Sequence, residues 1–130
     1  MTRRTKLTFL ALVLVQAAHS VEEYLFRLYD VFPPARFVTG LIAADRRAGF
    51  IVLNVALFGF GLWCYAFPVR REMPSAMGLM WLWVVIEFIN GVGHPLWSLA
   101  QRSYTPGVAT APILLFLSVF LGMQISRAVK

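Results

Sequence analysis

The sequence predicts an all-α integral membrane protein, a four-helix bundle with a short interfacial helix between the first and second spans. Hydrophobic residues make up 59% of the 130-residue chain and charged residues only 14%, whereas soluble domains contain about 25% charged residues. Four apolar segments are each near or above the roughly 20 residues that a helix needs to cross a bilayer. They form a single transmembrane domain over residues 1–130, with spans at approximately residues 7–30, 48–68, 75–99 and 106–128.

The beginning of the first helix resembles a secretory signal, because three basic residues precede the apolar run LTFLALVLVQAA. The apolar pattern, however, continues past the small residues that would form a cleavage site. It stops only at Pro33 and Pro34. A continuous helix over residues 7–30 is therefore better supported than cleavage.

The remaining elements follow from the placement of prolines and charges. Residues 35–47, ARFVTGLIAADRR, mix apolar and basic positions and are too short to span, which predicts a brief helix in the membrane interface. The second span ends at Pro68, and a short polar turn leads to the third. The fourth begins near Pro106, since proline is well tolerated in the first turn of a helix.

The basic residues occur at the ends and connections, where they orient a membrane protein. The inner side would carry seven of them, Arg3, Arg4, Lys6, Arg70, Arg71, Arg127 and Lys130, and the outer side five, Arg27, Arg36, Arg46, Arg47 and Arg102. This bias favours a bacterial inner-membrane protein with both termini in the cytoplasm. The net charge of +6 does not indicate nucleic-acid binding, because the basic residues form no single stripe.

Polar residues inside the spans mark the candidate functional site. A charge at the bilayer centre costs about 3 kcal/mol even on the lenient insertion scale, so such residues usually face the bundle interior and serve a function. Helical rotation of about 100° per residue groups them on one face of each of two helices. The first-helix face contains Gln16, His19, Glu22 and Glu23, and the third-helix face contains Glu87, Asn90, Gly91 and His94.

These faces are predicted to lie at one depth. A rise of about 1.5 Å per residue places His19 roughly 18 Å and Glu23 about 24 Å from the inner edge, with Glu87 near 18 Å and His94 near 28 Å. Asn54 lies on the second helix, which runs the opposite way, about 9 Å below the outer edge of a core roughly 30 Å thick. We therefore expect three helices to share one polar zone in the outer half of the membrane.

Three motifs occur in order along the chain, HSVEE at residues 19–23, NGVGH at residues 90–94 and YTPG at residues 104–107. Together they resemble the motifs of the HXXEE family, small integral membrane proteins of bacteria and other microbes whose function is unassigned. The resemblance implies a catalytic or metal site formed by His19, Glu22, Glu23, Asn90, His94 and Tyr104. Glu87 and Asn54 are not part of these motifs and rest on the depth argument.

Two imidazoles with carboxylates are a suitable ligand set for zinc or non-haem iron. His19 and His94 would act with Glu23 or Glu22 as ligands, and a remaining carboxylate would serve as a base. We take His19, Glu23 and His94 as the expected ligands of this divalent metal. The predicted catalytic residues are Glu22, Glu23, Glu87, Asn90 and Tyr104, with Asn54 in support.

The same groups allow metal-free chemistry. A buried glutamate can stay protonated and donate a proton, while a second carboxylate or a histidine accepts one. That chemistry would suit an isomerase or cyclase of an isoprenoid-like or sterol-like lipid. On either reading the chain is a small membrane enzyme whose partners are membrane lipid and an apolar small molecule, and metal-dependent chemistry is favoured.

Two further interpretations involve no catalysis. The cluster could relay protons or ions in an assembly factor or a transporter subunit, and with four spans a transporter would need to form a homodimer. The polar groups could also be purely structural. In that case Glu23 would pair with Arg27, one turn away, and His94 would satisfy carbonyls freed by Pro95.

Overall fold

The computed structural model describes residues 1–128, so Lys130, counted above with the inner basic residues, lies outside the described residues. Within residues 1–128 the regular secondary structure is entirely helical, which confirms the predicted all-α class. The helices are α1 (Arg3–Leu25), α2 (Leu28–Val31), α3 (Pro33–Ile42), α4 (Arg46–Cys64), α5 (Ala76–Gln101) and α6 (Ala111–Ala128), and α4 continues as a π-helical segment, Tyr65–Val69.

The four long helices run alternately up and down. At one end of the bundle, Lys6 Nζ of α1 lies 2.7 Å from Glu72 Oε1 in the turn before α5. Gln124 near the end of α6 donates to Thr8 of α1 at 3.3 Å. These contacts make α1 and α5 parallel and place α4 and α6 antiparallel to them. α6 packs against α5 and α1, and α4 packs against α1 and α3.

Three of the long helices are long and apolar enough to cross a membrane, Arg46–Val69, Ala76–Gln101 and Ala111–Ala128. α1 has 23 residues, which at about 1.5 Å per residue is also sufficient length. Its hydropathy is lowered by the polar face that was predicted to form part of the site. That α1 crosses the membrane therefore stays a prediction.

Three helix boundaries differ from those predicted. The short helix expected over residues 35–47 ends at Ile42, and residues 46 and 47 instead begin α4. α1 ends at Leu25 rather than near residue 30, because Arg27 adopts a left-handed conformation with φ 58° and redirects the chain into α2. α6 begins at Ala111 rather than near Pro106. The segment between α5 and α6 contains Gly107 at φ +92°, which is incompatible with a helix.

Apolar packing occupies the half of the bundle that contains the chain's N-terminus. Its fully buried side chains include Phe9, Leu12, Met80, Trp83, Leu121 and Ile125. Nearer the other end, a Cβ atom built on Gly91 of α5 would lie 2.6 Å from Cβ of Leu115, so glycine permits α5 and α6 to approach closely. This close contact holds α5 next to the start of α6, where the polar side chains are found.

Candidate metal centre

His19, Glu23 and His94 converge on one point between α1 and α5. The Nε2 atoms of the two histidines are 3.3 Å apart. Glu23 Oε1 lies 3.3 Å from Nε2 of His19 and 3.2 Å from Nε2 of His94. All three side chains are buried. The three ligand atoms thus form a nearly equilateral triangle, and these three residues are a buried group that could bind a metal.

The His94 ring is oriented by the segment between α5 and α6. Its Nδ1 lies 2.8 Å from the carbonyl oxygen of Pro106. Because a carbonyl can only accept, Nδ1 carries the proton and Nε2 of the neutral ring presents a lone pair to the triangle. A ligating histidine usually donates its other ring N–H to a carbonyl or carboxylate in this way.

The His19 ring is oriented by Thr110. Its Nδ1 lies 2.6 Å from the Thr110 hydroxyl, and that hydroxyl donates to Glu22 Oε1 at 2.9 Å. Since the hydroxyl has one proton, which Glu22 accepts, the hydroxyl in turn accepts the Nδ1–H of His19. Nε2 of His19 therefore also presents a lone pair to the triangle.

Glu22 forms hydrogen bonds to the start of α6 and is not part of the triangle. Its Oε1 accepts both the backbone N–H and the hydroxyl of Thr110, each at 2.9 Å. Its Oε2 accepts the backbone N–H of Ala109 at 3.2 Å and the Tyr104 hydroxyl at 2.6 Å. A carboxylate at the N-terminus of a helix is favoured by the helix dipole. Glu22 is therefore placed to position Thr110.

Tyr104 lies at the outer mouth of the site, half exposed, and bonds to Glu22. Burial, followed by the hydrogen bond to and negative charge of Glu22, raises the pKa of Tyr104 to about 12. The phenol therefore stays protonated at neutral pH and acts as a hydrogen-bond donor.

Gly107 supplies the space in which the two imidazoles meet. A Cβ atom at this position would lie 2.6 Å from Cε1 of His94 and 2.8 Å from Cε1 of His19. Its φ of +92° is also a conformation that side-chain-bearing residues rarely adopt. The YTPG segment therefore contributes Tyr104, the carbonyl of Pro106 and this glycine to one site.

Glu87 forms a second, separate group with two amides. It is fully buried, and Asn90 Nδ2 donates to its Oε2 at 3.1 Å. The Gln16 amide is oriented with its nitrogen 2.6 Å from Oε2, since its oxygen would otherwise face a carboxylate. Within the described residues, no hydrogen bond connects Glu87 or Asn90 to the triangle, although Glu87 lies within electrostatic range of Glu23 and His94.

Asn54 forms its side-chain hydrogen bonds away from the triangle. Its Oδ1 accepts from the Ser20 hydroxyl at 2.7 Å, and its Nδ2 donates to the carbonyl of Phe50 at 2.9 Å. Ser20 is also 3.2 Å from the Gln16 amide. Because Ser20 has one hydroxyl proton, which Asn54 accepts, Ser20 cannot also donate to the Gln16 oxygen, and Asn54 is a distant support for the α1 polar face.

The pairings expected of a purely structural network are not the ones observed. Arg27 pairs with Asp30 at 2.8 Å, whereas Glu23 faces the two histidines. His94 bonds to the carbonyl of Pro106, which lies outside α5, rather than to a carbonyl freed by Pro95. Both imidazole rings are therefore oriented toward the triangle, and His94 does not serve to satisfy a carbonyl freed by Pro95.

The dimensions of the triangle suit a small metal ion. Ligand atoms at 2.0–2.1 Å from a tetrahedral zinc are separated from one another by about 3.3–3.4 Å. The three measured separations are 3.2 Å to 3.3 Å. Two histidines and one carboxylate also form the ligand set of non-haem iron sites with open positions. His19, Glu23 and His94 thus fit either metal in the number and type of ligands, and their spacing fits tetrahedral zinc.

Sequence reasoning did not identify Thr110 or the carbonyl of Pro106. A threonine at the start of an apolar helix resembles any helix cap, and a backbone carbonyl has no sequence signature. The only available signal was the glycine of YTPG, which indicates a special backbone conformation next to a motif residue. Gln16 was on the predicted polar face, and its contact with Glu87 follows from that placement.

No curated protein and no solved structure shows significant similarity to this chain. Residues 10–121 match the profile of a family described as proteins of unknown function with an HXXEE motif. The matched region covers most of the chain and contains all three members of the triangle. The chain therefore belongs to the HXXEE family.

Proposed function

We propose that this protein is a membrane-embedded enzyme that uses His19, Glu23 and His94 to hold a divalent zinc or iron ion and acts on a lipid or other apolar substrate. The observation that carries the proposal is the triangle formed by Nε2 of His19, Oε1 of Glu23 and Nε2 of His94, each atom 3.2 Å to 3.3 Å from the next. Electron pairs facing one another at this distance repel, and a cation between them removes the repulsion.

Charge balance supports a divalent ion. Glu23 and Glu87 are both buried, and the buried side chains of the described chain include no lysine or arginine. Glu22 is compensated separately by the start of α6 and by Tyr104. A doubly charged ion bound by Glu23 would offset the charge of Glu23 and would also favour the ionised form of Glu87, and buried charges without compensation are costly in a membrane.

The chain's own residues would perform several tasks around the ion. The Pro106 carbonyl and the Thr110 hydroxyl hold the imidazole lone pairs in place. Glu87 would exchange a proton with a substrate that reached it, and its amide partners fix its orientation. Bound at this site, zinc or iron would polarise a substrate oxygen or activate water for attack.

An apolar substrate is supported by the cleft beside the site. A cleft of about 530 Å³ lies between the turn after α1 and the end of α5 with the segment that follows it, and Phe26, Trp97, Tyr104 and Pro106 are among its lining residues. None of its lining residues carries a charge. The ring of Trp97 lies 6.4 Å from the ring of His94. An uncharged substrate entering from the membrane would meet aromatic walls before it reached the metal ligands.

Elemental analysis of the purified protein tests the metal. After chelation and reloading, the unaltered protein should retain about one zinc or iron per chain, whereas His19→Ala, His94→Ala and Glu23→Gln should each lose it. Glu72→Gln is the matched control, because Glu72 is an exposed carboxylate in the turn before α5. A folded protein that binds neither metal would exclude this proposal.

A second candidate is a metal-free isomerase or cyclase of an isoprenoid-like lipid. The specific observation in its favour is Glu87, fully buried and bonded to amides but not to any cation in the described chain. In this case a proton, shared between the histidines and Glu23, would replace the ion. The outcome expected is a metal-free protein whose activity is abolished by Glu87→Gln.

A further inference from the structure

A groove between α1 and α4 lies apart from the metal ligands. It encloses about 230 Å³, and its apolar lining residues are Ala17, Val21, Phe50, Ile51, Val55 and Phe58. Its polar lining residues, Ser20 and Asn54, bond to each other at 2.7 Å. The surface that the groove offers to a ligand is therefore almost wholly apolar, as an acyl chain requires.

This α1/α4 groove is on the opposite side of α1 from the metal ligands. At about 100° per residue, Ala17 and Val21 point roughly opposite to His19 and Glu23, and Ser20 and Tyr24 point to the sides. A molecule in the groove would therefore be separated from the triangle by the body of α1. The groove is a site distinct from the one to which the proposed function refers.

A charged cleft adjoins the outer end of the groove, and Tyr24 lines both. This arginine cleft encloses about 540 Å³. Its charged lining residues are three arginines and two aspartates, Arg27, Arg46, Arg47, Asp30 and Asp45. An apolar groove that opens into a cleft with excess positive charge matches an amphiphile with an anionic head.

Arg47 is held at the junction of groove and cleft. Its Nε donates to the Tyr24 hydroxyl at 2.7 Å, and its guanidinium lies 5.3 Å from the centre of the Tyr24 ring. The structure of residues 1–128 pairs Arg27 with Asp30 at 2.8 Å and shows no salt bridge to Arg47. The remaining guanidinium donors of Arg47 are thus oriented and available for an anion.

We propose that the α1/α4 groove and the arginine cleft together bind an anionic phospholipid, with an acyl chain in the groove and the phosphate on Arg47 and Arg46. The apolar lining holds the chain, and the preorganised guanidinium recognises the phosphate oxygens. Arg46 adds positive charge nearby, since its contact with Asp30 is long, at 3.9 Å. This site operates whether or not the triangle binds a metal.

Spin-labelled lipids test the site in vesicles of phosphatidylcholine that contain a minority of phosphatidylglycerol. The protein should immobilise labelled phosphatidylglycerol in preference to labelled phosphatidylcholine. Arg47→Gln should weaken that preference about tenfold, as expected for the loss of one charge-assisted contact. Arg3→Gln is the control, because Arg3 is an exposed arginine at the opposite end of the bundle.

A second variant tests whether the α1/α4 groove binds the acyl chain. Ala17→Leu places a larger side chain in the groove without changing any charge, and it should also reduce immobilisation of phosphatidylglycerol. Equal immobilisation of the two lipids by the unaltered protein would overturn the proposal, as would an undiminished preference in Arg47→Gln. Displacement of the lipid by inorganic phosphate, with no effect of Ala17→Leu, would show an anion site rather than a phospholipid site. Metal content should be unchanged in Arg47→Gln and Ala17→Leu. A failure of the lipid site can therefore be distinguished from a failure of the proposed metal site.

Discussion

Each imidazole of the candidate site owes its orientation to one oxygen atom from the segment before α6. Pro106 supplies a carbonyl to His94, and Thr110 supplies a hydroxyl to His19. These contacts leave the two Nε2 lone pairs directed at Glu23. The ligand residues lie in α1 and α5, but the atoms that orient them belong to a third part of the chain.

Gly107→Ala should disrupt this arrangement. The new Cβ would overlap ring atoms of both histidines, at 2.6 Å and 2.8 Å, in a backbone conformation unfavourable for alanine. We expect a loss of unfolding free energy of about 1–3 kcal/mol, together with loss of metal. Thermal unfolding in detergent and elemental analysis measure the two effects.

Gly93→Ala is the matched control for this substitution. A Cβ atom at Gly93 has open space within 4 Å, and alanine favours a helix over glycine by about 1 kcal/mol. Gly93→Ala should therefore leave the metal content unchanged and the stability equal or slightly higher. Equal behaviour of the two variants would contradict the proposed role of Gly107.

Among the helices, α1 combines the length of a membrane span with a polar face, which would be unfavourable for an isolated helix in a bilayer. It is as long as a membrane span, but it carries the polar side chains that make it less apolar than the other long helices. Its polar face is directed at α5 and at the segment before α6, where Glu22 and Glu23 find partners. Burial against these partners allows such a helix to cross a bilayer.

Crossing by α1 predicts which positions share a side of the membrane. Arg3→Cys and Arg71→Cys should react with an impermeant thiol reagent from one side, and Ala44→Cys and Ser103→Cys from the other. With both termini cytoplasmic, the second pair should react in intact spheroplasts and the first pair only after lysis. Cys64 is buried and provides the unreactive background.

An α1 that lay along the interface would give a different pattern. Arg3→Cys would then react from the same side as Ser103→Cys, while Arg71→Cys would still react from the opposite side. Because α5 qualifies as a membrane span and lies between positions 71 and 103, these two positions are expected on opposite sides of the membrane. The position of Arg3 therefore decides between crossing and lying flat.

For the whole molecule, the candidate metal centre connects helices that are distant in sequence. His19 and Glu23 belong to α1, and His94 belongs to α5. A ligand that binds this assembled triangle but not the unfolded chain stabilises the entire bundle. Metal binding and global stability should therefore be coupled.

Zinc should raise the stability of the folded protein by about 2.7 kcal/mol at a concentration one hundred times its dissociation constant. Thermal unfolding in detergent, with and without zinc, measures this change as a shift in Tm. The shift should vanish in His94→Ala and persist in Glu72→Gln, since Glu72 lies in the turn at the opposite end. An identical shift in both variants would indicate binding elsewhere.

Much of this architecture could be predicted because membrane insertion makes strong demands on sequence. Apolar length indicated the helices, and the cost of buried charge indicated that His19, Glu23 and His94 face inward. The helix ends were predicted less well. Left-handed conformations at Arg27 and Gly107 depend on local packing and hydrogen bonds rather than on hydropathy.

The sequence by itself determined the all-helical class, the family and the two polar faces, because each depends on residue types at helical spacing. Only the tertiary structure decided which polar groups meet. It placed Glu23 with both histidines, directed Glu22 to the start of α6 and joined Glu87 to two amides. The physical reason is that adjacent glutamates differ by about 100° around a helix, and their partners come from other segments whose positions follow from packing.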